Sequence, residues 1–207
     1  MRLYNPGMYA AVMLLLSLAV MHAQDHSASS TPVRAEFRIF SGAEEITAST
    51  RLRLMPTGTR DRPTTLAEGA TRAADVAAGI YDVQALRLRQ GSIVGIRWAE
   101  RLVIMYYPDE NGRHLEVINF QPGFGALQLR AHKGQLNAYD VAIFPARDRS
   151  KPAAAPIEGE GYKLFVVPAG RYDVRVRPAG SVSDAEEARW LLDIEVPADR
   201  TRVKFVD

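Results

Sequence analysis

Cysteine is absent from this chain of 207 residues. Disulfide frameworks, thiolate zinc sites, iron–sulfur clusters and cysteine nucleophiles are therefore all excluded. A strong charge of one sign is also lacking, because 26 Lys and Arg residues stand against 24 Asp and Glu residues, for a net charge of +2. Such a chain has no field that would steer it towards a polyanion, so no nucleic-acid partner is predicted.

Motifs of the common enzyme classes are missing as well. The sequence contains no GxSxG nucleophile elbow, no HExxH zincin motif, no phosphate-binding P-loop and no GxGxxG fingerprint. His26, His114 and His132 show no metal-ligand spacing. No metal, cofactor or catalytic residue is predicted.

The first 23 residues predict a signal-peptide helix. Arg2 precedes the apolar run 10–20, and Ala23 comes directly before polar Gln24. The run is short for a hydrocarbon core of about 30 Å, yet Met21 is a poor residue at the third position before a cut, so an uncleaved anchor stays open. We expect a secreted or periplasmic protein with a flexible lead-in over 24–32 and membrane contact through this N-terminal segment only.

The rest of the chain is dominated by segments in which apolar and polar residues alternate. Ala35, Phe37 and Ile39 alternate with polar residues, and the same period recurs up to the last segment, 201–206. A period of two is typical of half-buried strands. No segment after residue 24 has a sustained helical stripe, so the sequence predicts an all-β fold.

The alternating segments occur twice. Residues 78–83 (AGIYDV) recur 91 positions later as residues 169–174 (AGRYDV), and Trp98 recurs 92 positions later as Trp190. Shared landmarks at nearly the same spacing indicate an internal duplication. With a boundary in the Pro- and Gly-containing stretch 121–125, we predict one β-sandwich domain over 33–122 and a second over 123–207.

The repeated element has a physical reason and a resemblance. Gly79 and Gly170 permit a turn, and Tyr81 and Tyr172 enter the next strand with the ring on the core face and the hydroxyl within reach of a backbone group. Residues 166–176 (VVPAGRYDVRV) resemble the strand–turn–strand of carboxypeptidase regulatory-like and related prealbumin-like or immunoglobulin-like bacterial modules. The resemblance covers about 164–206, with a weaker echo over 75–104. It implies an accessory β-sandwich module beside other proteins or sugars, with no catalytic residues to carry over.

The two halves differ most after Trp98, where we place the candidate ligand site. A turn at Asn111-Gly112 is predicted between two apolar segments. The residues proposed to line a sugar- or peptide-binding surface there are Tyr106, Tyr107, Asp109, Glu110 and His114. The alternative is that a strand such as Val103 to Tyr107 is apolar because the neighbouring domain covers it.

Two function classes follow from these observations. The first is a non-catalytic exported binding or scaffold module whose partner is a protein or a surface polysaccharide at the cell envelope. The second is an enzyme or enzyme subunit with a cleft at the junction of the two domains, where acidic and Tyr side chains from both halves converge.

Overall fold

Strands fill most of the chain that the structure describes. This computed structural model describes residues 32–60, 63–66, 72–106, 113–131, 136–180 and 188–206. The predicted signal peptide, most of the lead-in and the predicted Asn111-Gly112 turn lie outside the described residues. Thr31–Asp207 cluster as one compact unit. Within the described ranges, no helix is long and apolar enough to cross a bilayer.

The strands are short and numerous, as the alternation predicts. In chain order they are β1 (Val33–Ser41), β2 (Glu44–Glu45), β3 (Thr50–Pro56), β4 (Thr64–Thr65), β5 (Arg72–Val76), β6 (Gly79–Arg89), β7 (Ser92–Ile104), β8 (Arg113–Asn119), β9 (Phe124–Arg130), β10 (Tyr139–Pro145), β11 (Ile157–Gly159), β12 (Tyr162–Pro168), β13 (Gly170–Pro178), β14 (Arg189–Val196) and β15 (Thr201–Phe205). A single turn of 3-10 helix, Thr47–Ser49, precedes β3.

The first half is a sandwich of two sheets. β1 pairs antiparallel with β2 and β5 on one side and parallel with β8 on the other. The facing sheet has the order β4-β3-β6-β7. Between them lies a core to which β1 contributes Val33, Ala35, Phe37 and Ile39, all fully buried. The period of two in β1 therefore marks the core face, as the sequence predicts.

The second half repeats this topology. β9 pairs antiparallel with β12 and parallel with β15, and the facing sheet has the order β10-β13-β14. β9 thus takes the place of β1, β15 that of β8, and β13 and β14 those of β6 and β7. The all-β fold of two duplicated sandwiches is confirmed, while the division into domains at 33–122 and 123–207 stays a prediction.

The two halves join through the sheets that contain β1 and β9. A third apolar cluster lies there, formed by Phe40, Leu115 and Val117 from the first half and by Ala126, Leu164 and Val166 from the second. At its edge, Thr201 accepts a hydrogen bond from the Val117 amide (3.0 Å) and donates one to Glu116 (2.9 Å). The outer faces of the stack are therefore the sheet that contains β6 and β7 and the sheet that contains β13 and β14.

The repeated tyrosines occupy the same corner in both halves. Tyr81 and Tyr172 are buried in the first and second cores. The Tyr81 hydroxyl donates to the Ala77 carbonyl (2.8 Å), and the Tyr172 hydroxyl donates to the Pro168 carbonyl (2.6 Å). Burial raises the pKa of both phenols, so each stays a neutral donor at physiological pH.

Candidate functional site

The residues predicted from sequence as a ligand site fall in different environments. Tyr106 is exposed just after the end of β7. His114 is buried in β8, and its Nε2 lies 3.1 Å from a Glu116 carboxylate oxygen. Tyr107, Asp109 and Glu110 lie outside the described residues. A ligand role for these five residues stays a prediction.

The end of the β6–β7 hairpin near Tyr106 carries a group of exposed apolar side chains. Ile80 and Val103 stand directly opposite each other in the β6–β7 pair, and both are exposed, as is Met105. We call Ile80, Val103, Met105 and Tyr106 the Tyr106 patch. The interpretation that the neighbouring domain covers this strand is wrong for Val103 and Met105, two residues that are 48% and 46% exposed.

The other end of the same hairpin is a second exposed apolar region. Its two-residue turn is formed by Gln90 and Gly91, which both have positive φ (51° and 80°), as in the turns that match the twist of a hairpin. Ile93, Val94 and Ile96 follow in β7, and all three are more than half exposed. We call Leu88–Ile96 the hairpin tip.

The outer face of the first half also holds a cluster of Asp82, Arg60 and Trp98. The Asp82 carboxylate accepts hydrogen bonds from the Arg101 amide (3.0 Å), the Thr57 hydroxyl (3.2 Å) and Arg60 Nε (3.3 Å). The Arg60 guanidinium lies 4.7 Å from the centre of the Trp98 ring, which is cation–π distance. Arg101, whose φ is 55°, lies at a β-bulge in β7.

The second half repeats this cluster with Asp173, Arg149 and Trp190. Asp173 accepts hydrogen bonds from the Asp193 amide (3.0 Å) and from Arg149 Nε (3.1 Å) and Nη2 (3.0 Å). The Arg149 guanidinium lies 4.0 Å from the centre of the Trp190 ring. Asp193 has a φ of 56° at a bulge that corresponds to the one at Arg101. Phe144 extends the cluster, with its ring centre 5.5 Å from that of Trp190.

Both carboxylates are held ionised. The backbone N–H of Arg101 lowers the pKa of Asp82, and Arg60 adds to the effect. The Asp193 amide acts in the same way on the pKa of Asp173, together with Arg149. An ionised, fully bonded carboxylate is suited to fixing the bulge and the arginine over the indole ring, and unsuited to proton donation.

The sequence-based predictions do not include the arginines of these clusters, Arg60 and Arg149, although their positions relative to the duplication point to them. Trp98 and Trp190 are landmarks of the duplication, whereas Arg60 and Arg149 lie in loops that carry no strand pattern. Each stands four residues after a proline that ends a strand, Pro56 or Pro145. Aligning the halves on these prolines brings the two arginines into register.

A groove lies where the first half meets the second, beside β7 and β8. Its volume is about 510 Å³, and its lining includes Leu102 and Val117 together with the loop 198–200. Glu100 and Asp199 contribute one carboxylate from each half. Asp199 pairs with Arg97 of the other half (2.5 Å), and Glu100 pairs with Arg60. Among the described residues, no group of three His, Asp or Glu side chains could hold a metal ion.

Comparison with known proteins leaves the family open. No protein-family model matches the chain, and no curated protein matches it significantly. Among solved structures, the chain is similar to the Bacillus anthracis TIE protein (13% identity, TM-score 0.29), covering 86% of this chain and 34% of that one.

Two further structures show the same level of similarity. One is the pneumococcal glycogen-degrading virulence factor SpuA, which is multi-modular (10% identity, TM-score 0.30, covering 78% of this chain and 20% of that one). The other is a family 41 carbohydrate-binding module from streptococcal virulence factors (13% identity, TM-score 0.29, covering 79% and 88%). The chain thus spans about a third and a fifth of the first two proteins. TM-scores this low carry no argument about the function of this chain.

Proposed function

We propose that this chain is a non-catalytic binding or scaffold module of the cell envelope and that the Tyr106 patch is its binding surface. The carrying observation is the exposure of Ile80, Val103, Met105 and Tyr106 together at one end of the β6–β7 hairpin. Grouped exposed apolar side chains are typical of interaction surfaces in soluble domains. The partner is a protein or a surface polysaccharide, and Tyr106 supplies an aromatic ring with a polar end that suits either one.

The rigidity of the module supports this proposal. The two cores are joined by the third apolar cluster around Phe40 and Leu164, so the patch is presented by a scaffold with buried contacts on both sides of the junction. Sites on such a scaffold hold their geometry better than sites on free loops. The proposal also includes the division into two domains at 33–122 and 123–207. It further includes their kinship with carboxypeptidase regulatory-like or prealbumin-like modules, which is supported by the equivalent hydrogen bonds of Tyr81 and Tyr172 to backbone carbonyls.

The experiment compares the mature chain, residues 24–207, with two variants of it. The mature chain and the variant Ile80→Ser/Val103→Ser are tested on a glycan array and in a pull-down from an envelope extract. Leu192→Ser is the matched control, because Leu192 is an exposed apolar residue of β14, the counterpart of β7. The proposal expects a partner that the first variant loses and the control keeps. Finding no partner in either assay, or equal binding by both variants, would contradict it.

Export is a further part of the proposal. It is supported by the order of charge, apolar run and small residue in the first 23 residues. N-terminal sequencing of the protein from a periplasmic or culture fraction tests it. Cleavage after Ala23 or retention of the segment as an anchor are both compatible with export, whereas recovery of the chain only from the cytoplasm is not.

The groove between the halves favours one second candidate, a cleft enzyme. Glu100 and Asp199 face the same groove from different halves, which is the arrangement that this alternative requires. Each carboxylate is paired with an arginine. Hydrolytic activity on a glycoside or peptide panel that Glu100→Gln and Asp199→Asn both abolish would favour the enzyme over the binding module.

A further inference from the structure

The hairpin tip has one apolar and one basic face. Leu88 stands opposite Ile93 on the outer face of the ribbon. Ile96 lies on the same face, opposite Leu86, which is itself buried. Arg87 stands opposite Gly95 on the other face, and Arg89 stands opposite Ser92 beside the turn. The tip is therefore an amphipathic β-ribbon.

The charge of the ribbon has a single sign. Between Asp82 and Glu100 the chain contains three arginines and no acidic residue. Arg97 is paired with Asp199, while Arg89 is exposed beside the Gln90-Gly91 turn. The tip thus offers apolar side chains flanked by positive charge.

The ribbon also extends past its neighbour in the sheet. The pairing of β3 with β6 ends at Thr50 and Arg87, so the segment from Leu88 to Ile93 is two-stranded. Exposed apolar side chains at the end of such a two-stranded segment can enter the interface of a bilayer, which requires an apolar face beside a basic one and no preformed pocket.

We infer that the hairpin tip is a docking site for the surface of an anionic lipid bilayer. With the tip pointing into the interface, Ile93, Val94 and Ile96 enter the boundary between headgroups and acyl chains, while Arg87 and Arg89 lie at the level of the lipid phosphates. Both parts of the surface are needed, because apolar area and attraction to anionic lipid act together in interfacial binding.

Strand addition to β7 by a second copy fits the tip less well. β7 is the edge strand of its sheet, but Val94 has no residue opposite it, because Arg87 pairs with Gly95 and Leu88 pairs with Ile93. Such a bulge increases the local twist and interrupts the edge that another strand would need. Arginines brought together by two such tips would also repel each other.

This inference goes beyond the proposed function, because it concerns the opposite end of the hairpin. Val94 of the tip and Val103 of the Tyr106 patch are nine residue steps apart along β7, a distance of about 30 Å at the rise of a strand. A module that touches a bilayer with one end and a partner with the other would place that partner at a set height above the membrane.

The experiment is flotation of residues 24–207, which contain the whole compact unit Thr31–Asp207 without the apolar signal segment. The probes are vesicles of phosphatidylcholine alone and vesicles that also contain phosphatidylglycerol. The variants are Ile93→Ser/Ile96→Ser and Arg87→Gln/Arg89→Gln, with Leu192→Ser as the control. Circular dichroism verifies that each variant is folded, and sedimentation equilibrium measures self-association.

The expected result is binding to the anionic vesicles that falls with added salt. The isoleucine variant should bind at least about tenfold more weakly, and each arginine removed should weaken binding about fivefold, while the control stays within about twofold. No flotation of the wild-type chain, or equal flotation of the folded isoleucine variant, overturns the inference. Self-association that the isoleucine variant abolishes, in the absence of flotation, also overturns it and assigns the tip to a second copy.

These outcomes are independent of the proposed function. The Ile93→Ser/Ile96→Ser variant leaves Ile80 and Val103 intact, so it should keep any protein or glycan partner of the Tyr106 patch. Loss of lipid binding with the partner retained supports both statements, and a missing partner with lipid binding retained contradicts the proposed function only.

Discussion

Replacing Asp173 by alanine tests whether the buried carboxylate holds the bulge in β14. The Asp173 side chain is 7% exposed and accepts the Asp193 amide at 3.0 Å. Alanine removes that acceptor and the two hydrogen bonds from Arg149. Asp193, with its φ of 56°, then loses the bond that supports a backbone conformation few residues adopt.

The magnitude follows from these contacts. The bond from the Asp193 amide is only partly buried, so losing its acceptor costs about 1–2 kcal/mol, the lower part of the range for a buried N–H. The Arg149 side chain is 45% exposed, so its ion pair adds only about 0–1 kcal/mol. Asp173→Ala should therefore lower the free energy of unfolding by about 1–3 kcal/mol near neutral pH. Asp173→Asn keeps an oxygen acceptor for the Asp193 amide and should cost less.

The loss should depend on pH, with a sign set by the lowered pKa of Asp173. A carboxyl whose pKa is lower in the folded state stabilises the fold above its unfolded pKa of about 3.9, and this contribution disappears as pH falls through the folded pKa. The difference between wild type and Asp173→Ala should thus be largest near neutrality and shrink in acid.

Urea unfolding followed by far-UV circular dichroism measures this difference at about pH 7 and about pH 3. Asp140→Ala is the matched control, because the Asp140 side chain is 50% exposed and pairs with Arg177 at 3.3 Å. The control should change stability by less than about 0.5 kcal/mol. An Asp173→Ala effect below that of the control, or one that is equal at both pH values, would refute the reasoning.

Three further substitutions should lower the free energy of unfolding, which urea unfolding measures. Tyr172→Phe removes the 2.6 Å bond to the Pro168 carbonyl and should cost about 1 kcal/mol; no loss would mean that water replaces it fully. Gly125→Ala places a Cβ 2.1 Å from the Pro197 carbonyl oxygen, which should cost at least about 1–3 kcal/mol, and a stable variant would show that the backbone there can move. Phe40→Ala empties a fully buried position in the cluster between the halves and should cost about 3–5 kcal/mol; a small effect would mean that the halves are held together elsewhere.

The strand period and the duplication could be predicted because both are patterns in the order of residues along the chain. The alternation in β1 marks its buried face, and the AGxYDV repeat places Tyr81 and Tyr172 at equivalent corners. β5 escapes such analysis, because its side chains are short or polar. It is fixed by Arg72, which is buried and donates to the Thr50 and Ala48 carbonyls (2.8 and 3.2 Å), a contact between distant segments that no local pattern predicts.

The candidate surfaces were only partly accessible to sequence analysis. The sequence predicts a surface role for Tyr106, which lies in an exposed patch, whereas the exposure of Ile80 depends on which face of the sheet is left uncovered. For the hairpin tip the sequence predicts an ordinary half-buried strand, because Ile96 and Trp98 alternate with polar or small residues. Which of two apolar faces meets a core is decided by the stacking of sheets, and that is a long-range property.

The parallel pairing of the first and last strands in each half has a mechanical consequence. β1 and β8 run side by side through seven residue pairs from Arg34–Arg113 to Phe40–Asn119, and β9 and β15 through five. A force that pulls the start of β1 away from the end of β8 acts along the strands and loads all of these hydrogen bonds at once, instead of opening them one at a time. Each half should therefore resist a force that pulls its first and last strands apart along their length. A domain that is attached at both of its ends experiences such a force.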